Sequence, residues 1–264
     1  MNRKSILVLI LAVCFFSVNL VYADTGSAPE QPRIGIISAM DTEIDLLLMN
    51  VEIDRTDHIG GIDFHVGTLG GKDVVIVRAG IGKVLAAAGT AALLNNYDIE
   101  SLFFTGVAGG VGDETKVLDV VIASDLVQHD FGTIQSDGFL WRPGENGIGG
   151  YYPCDEKLIE LAFESAVSVV GADHTFKGTI ATGDQFVASE SYVKELQDKF
   201  NAIACEMEGA SVAAVCFQYE VPFVVIRAMS DKADGLAHET YENMVDIAAD
   251  NSCKIIMKML EALD

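Results

Sequence analysis

Ala204-Cys205-Glu206-Met207-Glu208-Gly209-Ala210 joins a short β-like run, residues 201–205, to an almost wholly apolar run, residues 210–219. A helix apolar on every side is normally buried, and a carboxylate at the mouth of a buried element is costly unless it is paired. In an extended backbone Glu206 and Glu208 project to one side and Met207 to the other, whereas in a helix residues two apart diverge. The stretch therefore reads as a strand end turning into a helix, with two acceptors and one thioether presented at the junction. An acidic first turn that merely suits a helix N-terminus accounts for the glutamates equally well. The rest of the chain has to separate the two readings.

Working outward, residues 33–38 form an apolar strand, followed by a helical stretch at 41–48 with acidic residues in its first turn. Residues 59–69 alternate around Gly60-Gly61, and Gly70-Gly71 leads into a valine-rich run at 72–78; both read as hairpin strands. Gly80-Ile81-Gly82-Lys83 opens an alanine-rich helix to about Tyr97. A buried strand at 103–105 runs into Gly106-Val107-Ala108-Gly109-Gly110, and 117–124 is another strand. A loop-rich stretch with Trp141, Pro143 and Pro153 comes next. Then follow a helix at 156–170, a strand at 176–181 and a charged outer helix at 191–200. After the opening stretch come an apolar strand at 223–228 and a terminal helix from about Tyr241 to Ala262. Alternating strands and helices, several strands apolar throughout, imply an α/β layered fold with a mainly parallel or mixed sheet covered on both faces. Sites in such folds gather beyond the carboxyl ends of strands.

Composition narrows the function classes. Asn2-Arg3-Lys4, the apolar residues 5–20 and Val21-Tyr22-Ala23 read as a signal peptide over residues 1–23, cut after Ala23. The apolar run is short of the ~20 residues a membrane span needs, and Cys14 lies inside it after Val13, a poor context for a lipoprotein cysteine. Membrane contact is thus expected only through this segment, and the expected localisation is exported, periplasmic or secreted, or cytoplasmic if the signal is not used. Residues 24–32, polar with two prolines, read as a disordered lead, and 33–264 as a single domain. Without Arg3 and Lys4 the chain keeps 15 basic against 39 acidic residues, a formal charge of −24. That argues against nucleic acid, anionic polymers or an anionic membrane as partners. Cys154, Cys205, Cys216 and Cys253 are widely spaced with no CxxC pair, so buried free thiols are expected rather than a disulfide or zinc framework.

Polar groups arrive at four strand ends: 38–43, 79–82, 206–208 and 227–231, with a further loop at 182–187 that adds Phe186. Neither glycine loop matches a dinucleotide or P-loop fingerprint. The histidines are scattered without ligand spacing, and Gln128-His129-Asp130 reads as a polar loop cluster before it reads as a metal half-site. No metal and no cofactor are expected, and no nucleophile elbow is present.

Ile34-Gly35-Ile36-Ile37-Ser38-Ala39-Met40 with Glu43, Gly80-Ile81-Gly82-Lys83 and Thr105-Gly106-Val107-Ala108-Gly109-Gly110 resemble motifs of bacterial 5′-methylthioadenosine/S-adenosylhomocysteine nucleosidases. So do Thr182-Gly183-Asp184, Glu206-Met207-Glu208 and Arg227-Ala228-Met229-Ser230-Asp231. Each motif is weak alone, but the six occur in order over nearly the whole mature chain. The resemblance implies a nucleoside phosphorylase-like three-layer sandwich with a central mixed, mainly parallel twisted sheet, and a homodimer whose partner loop helps cover the site. It implies hydrolysis of the N-glycosidic bond of thio-adenosine nucleosides, with Asp231 as the acid to adenine N7 and Glu43 orienting and deprotonating the water. It also gives Glu208 the ribose hydroxyls, Met207 a sugar contact, Phe186 and the Val187 backbone the adenine, and Ser230 the support of Asp231. Met40, Ile81 and Tyr241 line the pocket for the ribose and the thio-substituent, and Glu206 is a further binding residue. Arg227 holds the water or Glu43, or forms a plain ion pair. Val107 stands where some relatives carry serine and is assigned no polar contact.

Two other readings remain. A phosphorylase would share the fold but must hold phosphate, which Asp41 and Glu43 on the first loop would repel. An exported nucleoside-binding or surface-adhesion protein is the alternative of another class; solute binders need two lobes, for which the length leaves little room.

Overall fold

A computed structural model describes residues 31–143 and 150–263. The expected signal segment and most of the polar lead lie outside the described residues. Among the described residues no helix is long and apolar enough to cross a membrane.

The chain runs β1 (Arg33–Ser38), a 3-10 turn (Asp41–Glu43), α1 (Asp45–Asn50), β2 (Glu52–Ile59), β3 (Ile62–Leu69), β4 (Lys72–Arg78) and α2 (Lys83–Asn96). It continues through β5 (Ile99–Gly110), β6 (Val120–Gln128), β7 (Gly132–Gln135), β8 (Gly138–Trp141), β9 (Tyr151–Pro153), α3 (Glu156–Val170) and β10 (Thr175–Thr182). The last third holds α4 (Glu190–Phe200), β11 (Ala202–Glu206), α5 (Gly209–Tyr219), β12 (Phe223–Asp231) and α6 (Ala237–Ala262).

Ten strands form one mixed sheet in the order β11-β10-β6-β12-β5-β1-β4-β3-β2, with β9 beside β6. β4, β1, β5 and β12 run parallel, as do β6, β10 and β11, and the two groups meet antiparallel where β12 pairs β6. The sheet does not stay open. β5 is twelve residues long, and its end returns to pair antiparallel with β11, Cys205 opposite Gly109 and Ala204 opposite Gly110. β5, β12, β6, β10 and β11 thereby complete a circuit of pairings. This closure brings the carboxyl ends of two oppositely running strand groups to one place.

Alternation along the strands supplies both faces. Ile34, Ile36, Val74 and Ile76 pack in one core with Leu47, Leu158, Ala248 and Ile256 from α1, α3 and α6. Ile37, Val75 and Val77 pack in the other with Ala86, Leu93, Val212 and Cys216 from α2 and α5. Cys154, Cys205, Cys216 and Cys253 are buried and free, as expected.

Several boundaries differ from the sequence reading. β2 is an edge strand of charged, largely exposed residues, so it offers no apolar signal, and Gly60-Gly61 is its turn into β3 rather than part of one long strand. The stretch before Pro143 contains the β7–β8 hairpin. The terminal helix begins a full turn earlier, at Ala237. α5, expected to be buried all round, is buried through Ala213 and again at Cys216, but Phe217 and Tyr219 are exposed.

Candidate active site

A cavity of about 410 Å³ opens where the strand ends converge. Its walls include Met40, Glu43, Ile81, Phe186, Val187, Glu206, Met207, Glu208, Ser230, Asp231 and Tyr241. Every expected site residue except Arg227 therefore borders one space.

Glu43 arrives on the 3-10 turn after β1 and is buried. Its Oε2 accepts from the amides of Ala39 (2.9 Å) and Met40 (2.8 Å), and its Oε1 from that of Val107 (3.0 Å). Burial pushes its carboxyl above the usual range, against the pull of Arg227 and these three amides. Gly106 makes the approach feasible: a Cβ there would lie 2.6 Å from both Glu43 Oε1 and Arg227 Nη1. The small residues that end β5 are thus required where two charged side chains press on the strand. Val107 contributes its backbone N–H, and its side chain lines the cavity. Asp41, expected beside Glu43, instead turns outward to Arg78 at 2.8 Å. One turn of 3-10 helix separates residues two apart to different sides.

The junction between β11 and α5 carries the other acids. Glu206 Oε2 takes the amides of Glu208 (3.1 Å) and Gly209 (2.7 Å), the first orphan donors of α5. Arg227 Nη2 reaches the same oxygen at 2.6 Å, and the Thr182 hydroxyl donates to Oε1. Thr182 Oγ1 also accepts the Ala210 amide at 2.8 Å. Glu208 Oε1 accepts from the Gly82 amide at 2.7 Å, and its Oε2 stands 3.9 Å from Arg227. Burial and the neighbouring Glu206 charge push the Glu208 carboxyl up to about 8. Strand alternation is not what distributes these side chains. The backbone leaves extended geometry after Glu206, and Met207 lines the same cavity as its two acidic neighbours.

Arg227 is the one expected binding residue that the structure places elsewhere. It is 1% exposed, lies behind the carboxylates, pairs with Glu206 and stacks its guanidinium 4.0 Å from the Phe104 ring centroid. It borders no part of the cavity. Three carboxylates crowding one buried place need a counter-charge, and β12, apolar on both sides of Arg227, brings it through the sheet rather than to the surface.

Asp231 ends β12. Its Oδ1 accepts from the Ala233 amide (2.7 Å) and its Oδ2 from the Ser230 hydroxyl (2.9 Å). Burial raises its carboxyl above the ordinary aspartate range in spite of these two donors. Phe186 stacks on His238 with centroids 4.5 Å apart and 21° between planes, and meets Tyr241 edge-on at 5.8 Å. The Tyr241 hydroxyl points at Met40 Sδ, 3.4 Å away. His238 was not expected at the site. Its signal lay in α6: once the helix starts at Ala237, His238, Tyr241 and Glu242 share one face, and all three line the cavity. Thr182 was quoted without a role, because a hydroxyl that bridges Glu206 and Ala210 has no sequence signature of its own.

The sequence profile of the Phosphorylase superfamily matches residues 33–261, which sets the class. The 5′-methylthioadenosine/S-adenosylhomocysteine nucleosidase of Bacillus thuringiensis strain Al Hakam is 40% identical over 233 residues, 88% of this chain and 99% of that protein. The nucleosidase of the same name from Neisseria meningitidis, solved with methylthio-immucillin-A, superposes with a TM-score of 0.81 at 35% identity, covering 88% of this chain and all of that one. A futalosine hydrolase of Helicobacter pylori superposes with a TM-score of 0.80 at 34% identity over 88% of this chain and 98% of that one. The chain belongs, within the superfamily, to the 5′-methylthioadenosine/S-adenosylhomocysteine nucleosidase family.

Proposed function

We propose that the protein hydrolyses the N-glycosidic bond of 5′-methylthioadenosine and S-adenosylhomocysteine, releasing adenine and the 5-thioribose product. The observation that carries this reading is the gathering of Glu43, Glu208 and Asp231 around one cavity beside an aromatic wall. Adenine leaves poorly as an anion, so N7 has to gain a proton as the bond breaks. Asp231 supplies it: a carboxyl raised by burial stays protonated closer to neutral pH than a free aspartate, whose pKa is about 3.9. Phe186, buttressed by His238, stacks on the base, the Val187 backbone reads its edge, and Ser230 orients Asp231.

Glu208 accepts from the ribose hydroxyls through the oxygen that Gly82 leaves free, and Met207 packs on the sugar. Glu43 orients a water beneath the sugar and takes its proton as it attacks, and the negative charge Glu43 carries until that transfer favours the cation-like sugar of the transition state. Arg227 Nη1 lies beside Gly106, behind the cavity wall, and its charge supports Glu43 from there. Met40, Ile81 and Tyr241 take the thio-substituent.

Water is favoured over phosphate as the nucleophile by the lining itself. Among the described residues the cavity wall contains Glu43, Glu206, Glu208, Glu242 and Asp231 and no lysine or arginine, so an anion finds no cationic side chain to hold it. Adenine release from methylthioadenosine should proceed at full rate in phosphate-free buffer and yield the free sugar. Strict dependence on added phosphate, with a sugar 1-phosphate as product, would overturn hydrolysis in favour of phosphorolysis.

A further inference from the structure

Helix α2 begins without a cap of its own, because the residue before it is Gly82. Two carboxylates from distant loops do that work. Glu208 Oε1 takes the Gly82 amide at 2.7 Å, and Asp184 Oδ1 takes the Lys83 amide at 2.8 Å. Acidic partners suit the positive end of a helix, whereas the Lys83 ammonium is misplaced there. Its charge is answered from β6's end: Lys83 Nζ donates to Asp130 Oδ1 at 2.5 Å and to Gln128 Oε1 at 3.3 Å.

Asp130 is the centre of this arrangement because it spends one oxygen on each side. Oδ1 holds α2 through Lys83, and Oδ2 accepts the Asp184 amide at 3.0 Å, which holds the loop after β10. Both ends of the ion pair are sheltered, with side chains 18% and 14% exposed, so solvent screens it less than a surface pair. His129 locks the same loop from below. Its ring sits so close under Gly183 that any side chain there would overlap it, and its Nδ1 shares a hydrogen bond with the Tyr192 hydroxyl at 3.1 Å. The Gln128-His129-Asp130 cluster thus has a use that needs no metal.

The two elements so joined meet at the Lys83–Asp184 contact, and both lead into the cavity wall. Ile81 lines the cavity just before α2, and Gln185, Phe186 and Val187 line it just after Asp184; the nucleosidase reading puts the sugar at the first and the purine at the second. We propose that Asp130, acting through Lys83 and Asp184, is a positioning residue that fixes the distance between the purine wall and the sugar wall. The inference rests on the nucleosidase reading for the identity of the ligand. A ligand that bridges both walls needs the clamp, while free adenine, which touches only the purine wall, does not.

The test compares Asp130→Ala with the unaltered full chain, measuring KM for methylthioadenosine and the inhibition constant of adenine. KM should rise about tenfold, the scale of one sheltered coupled contact, with adenine inhibition held within about twofold. Lys83→Met breaks the same ion pair from the helix side while keeping the aliphatic stem, and should give the same split if Asp130→Ala does not fold. The double variant should lose no more than the worse single one. Dissociation constants of the 7-deaza analogue of methylthioadenosine supply the same ratio without turnover, so the clamp remains measurable if the unaltered protein cleaves nothing. A KM that does not rise in either variant, or a parallel loss of nucleoside and adenine binding, overturns the proposal.

Discussion

Asp231→Asn should lower turnover of methylthioadenosine by about 10²- to 10⁴-fold, the usual worth of a positioned general acid, while nucleoside binding changes only a few-fold. The site is built to tolerate this substitution. An asparagine can keep its carbonyl on the Ala233 amide and turn its amide nitrogen to Ser230. Ser230 can then accept, and donate instead to the Ala108 carbonyl, already 3.3 Å from its hydroxyl. No buried donor is stranded, so the fold and the hydrogen bond to N7 survive, and only the transferable proton is missing. Single-turnover rates beside equilibrium binding separate the two effects. Near-normal turnover would remove Asp231 as the acid.

Glu43→Gln is the second large effect, and it differs in kind. The three amides that converge on this carboxylate occupy both oxygens. A glutamine must therefore turn its NH₂ group toward at least one N–H, leaving a buried donor without an acceptor at a cost of about 1–3 kcal/mol. Stability and turnover should fall together: kcat by about 10²–10⁴-fold for loss of the base, and the thermal midpoint measurably. The comparison with Asp231→Asn is informative because that variant should keep its midpoint. If Glu43→Gln retains turnover within tenfold of the unaltered protein, water activation belongs to another group.

The sequence was most legible where burial is continuous. β1, β4 and β12 announce themselves as apolar runs, and their carboxyl ends deliver Met40, Glu43, Ile81 and Asp231 to the cavity. Charged edge strands such as β2 and the exposed β7–β8 hairpin carry no such pattern, since their pairing depends on a neighbour rather than on a core. The closure of β5 onto β11 was hidden for a related reason. Small residues at the end of β5 permit it, but glycines and alanines do not say which strand will be met. For Arg227 the resemblance implied a hold on the water or Glu43, with a plain ion pair as the alternative, and the ion pair is what forms. Counting the acids that converge there shows why it stops short: Glu206 and Glu208 claim its charge first. His238 was lost to a helix start misplaced by one turn.

The central claim is that buried carboxyls, rather than a metal or an activated nucleophile, release the purine by protonating it. It is tested most directly by the analogue of methylthioadenosine with carbon in place of N7. It should bind as a competitive inhibitor and yield no free base under conditions in which methylthioadenosine is consumed. Cleavage of that analogue at a rate comparable to the natural nucleoside would contradict the account.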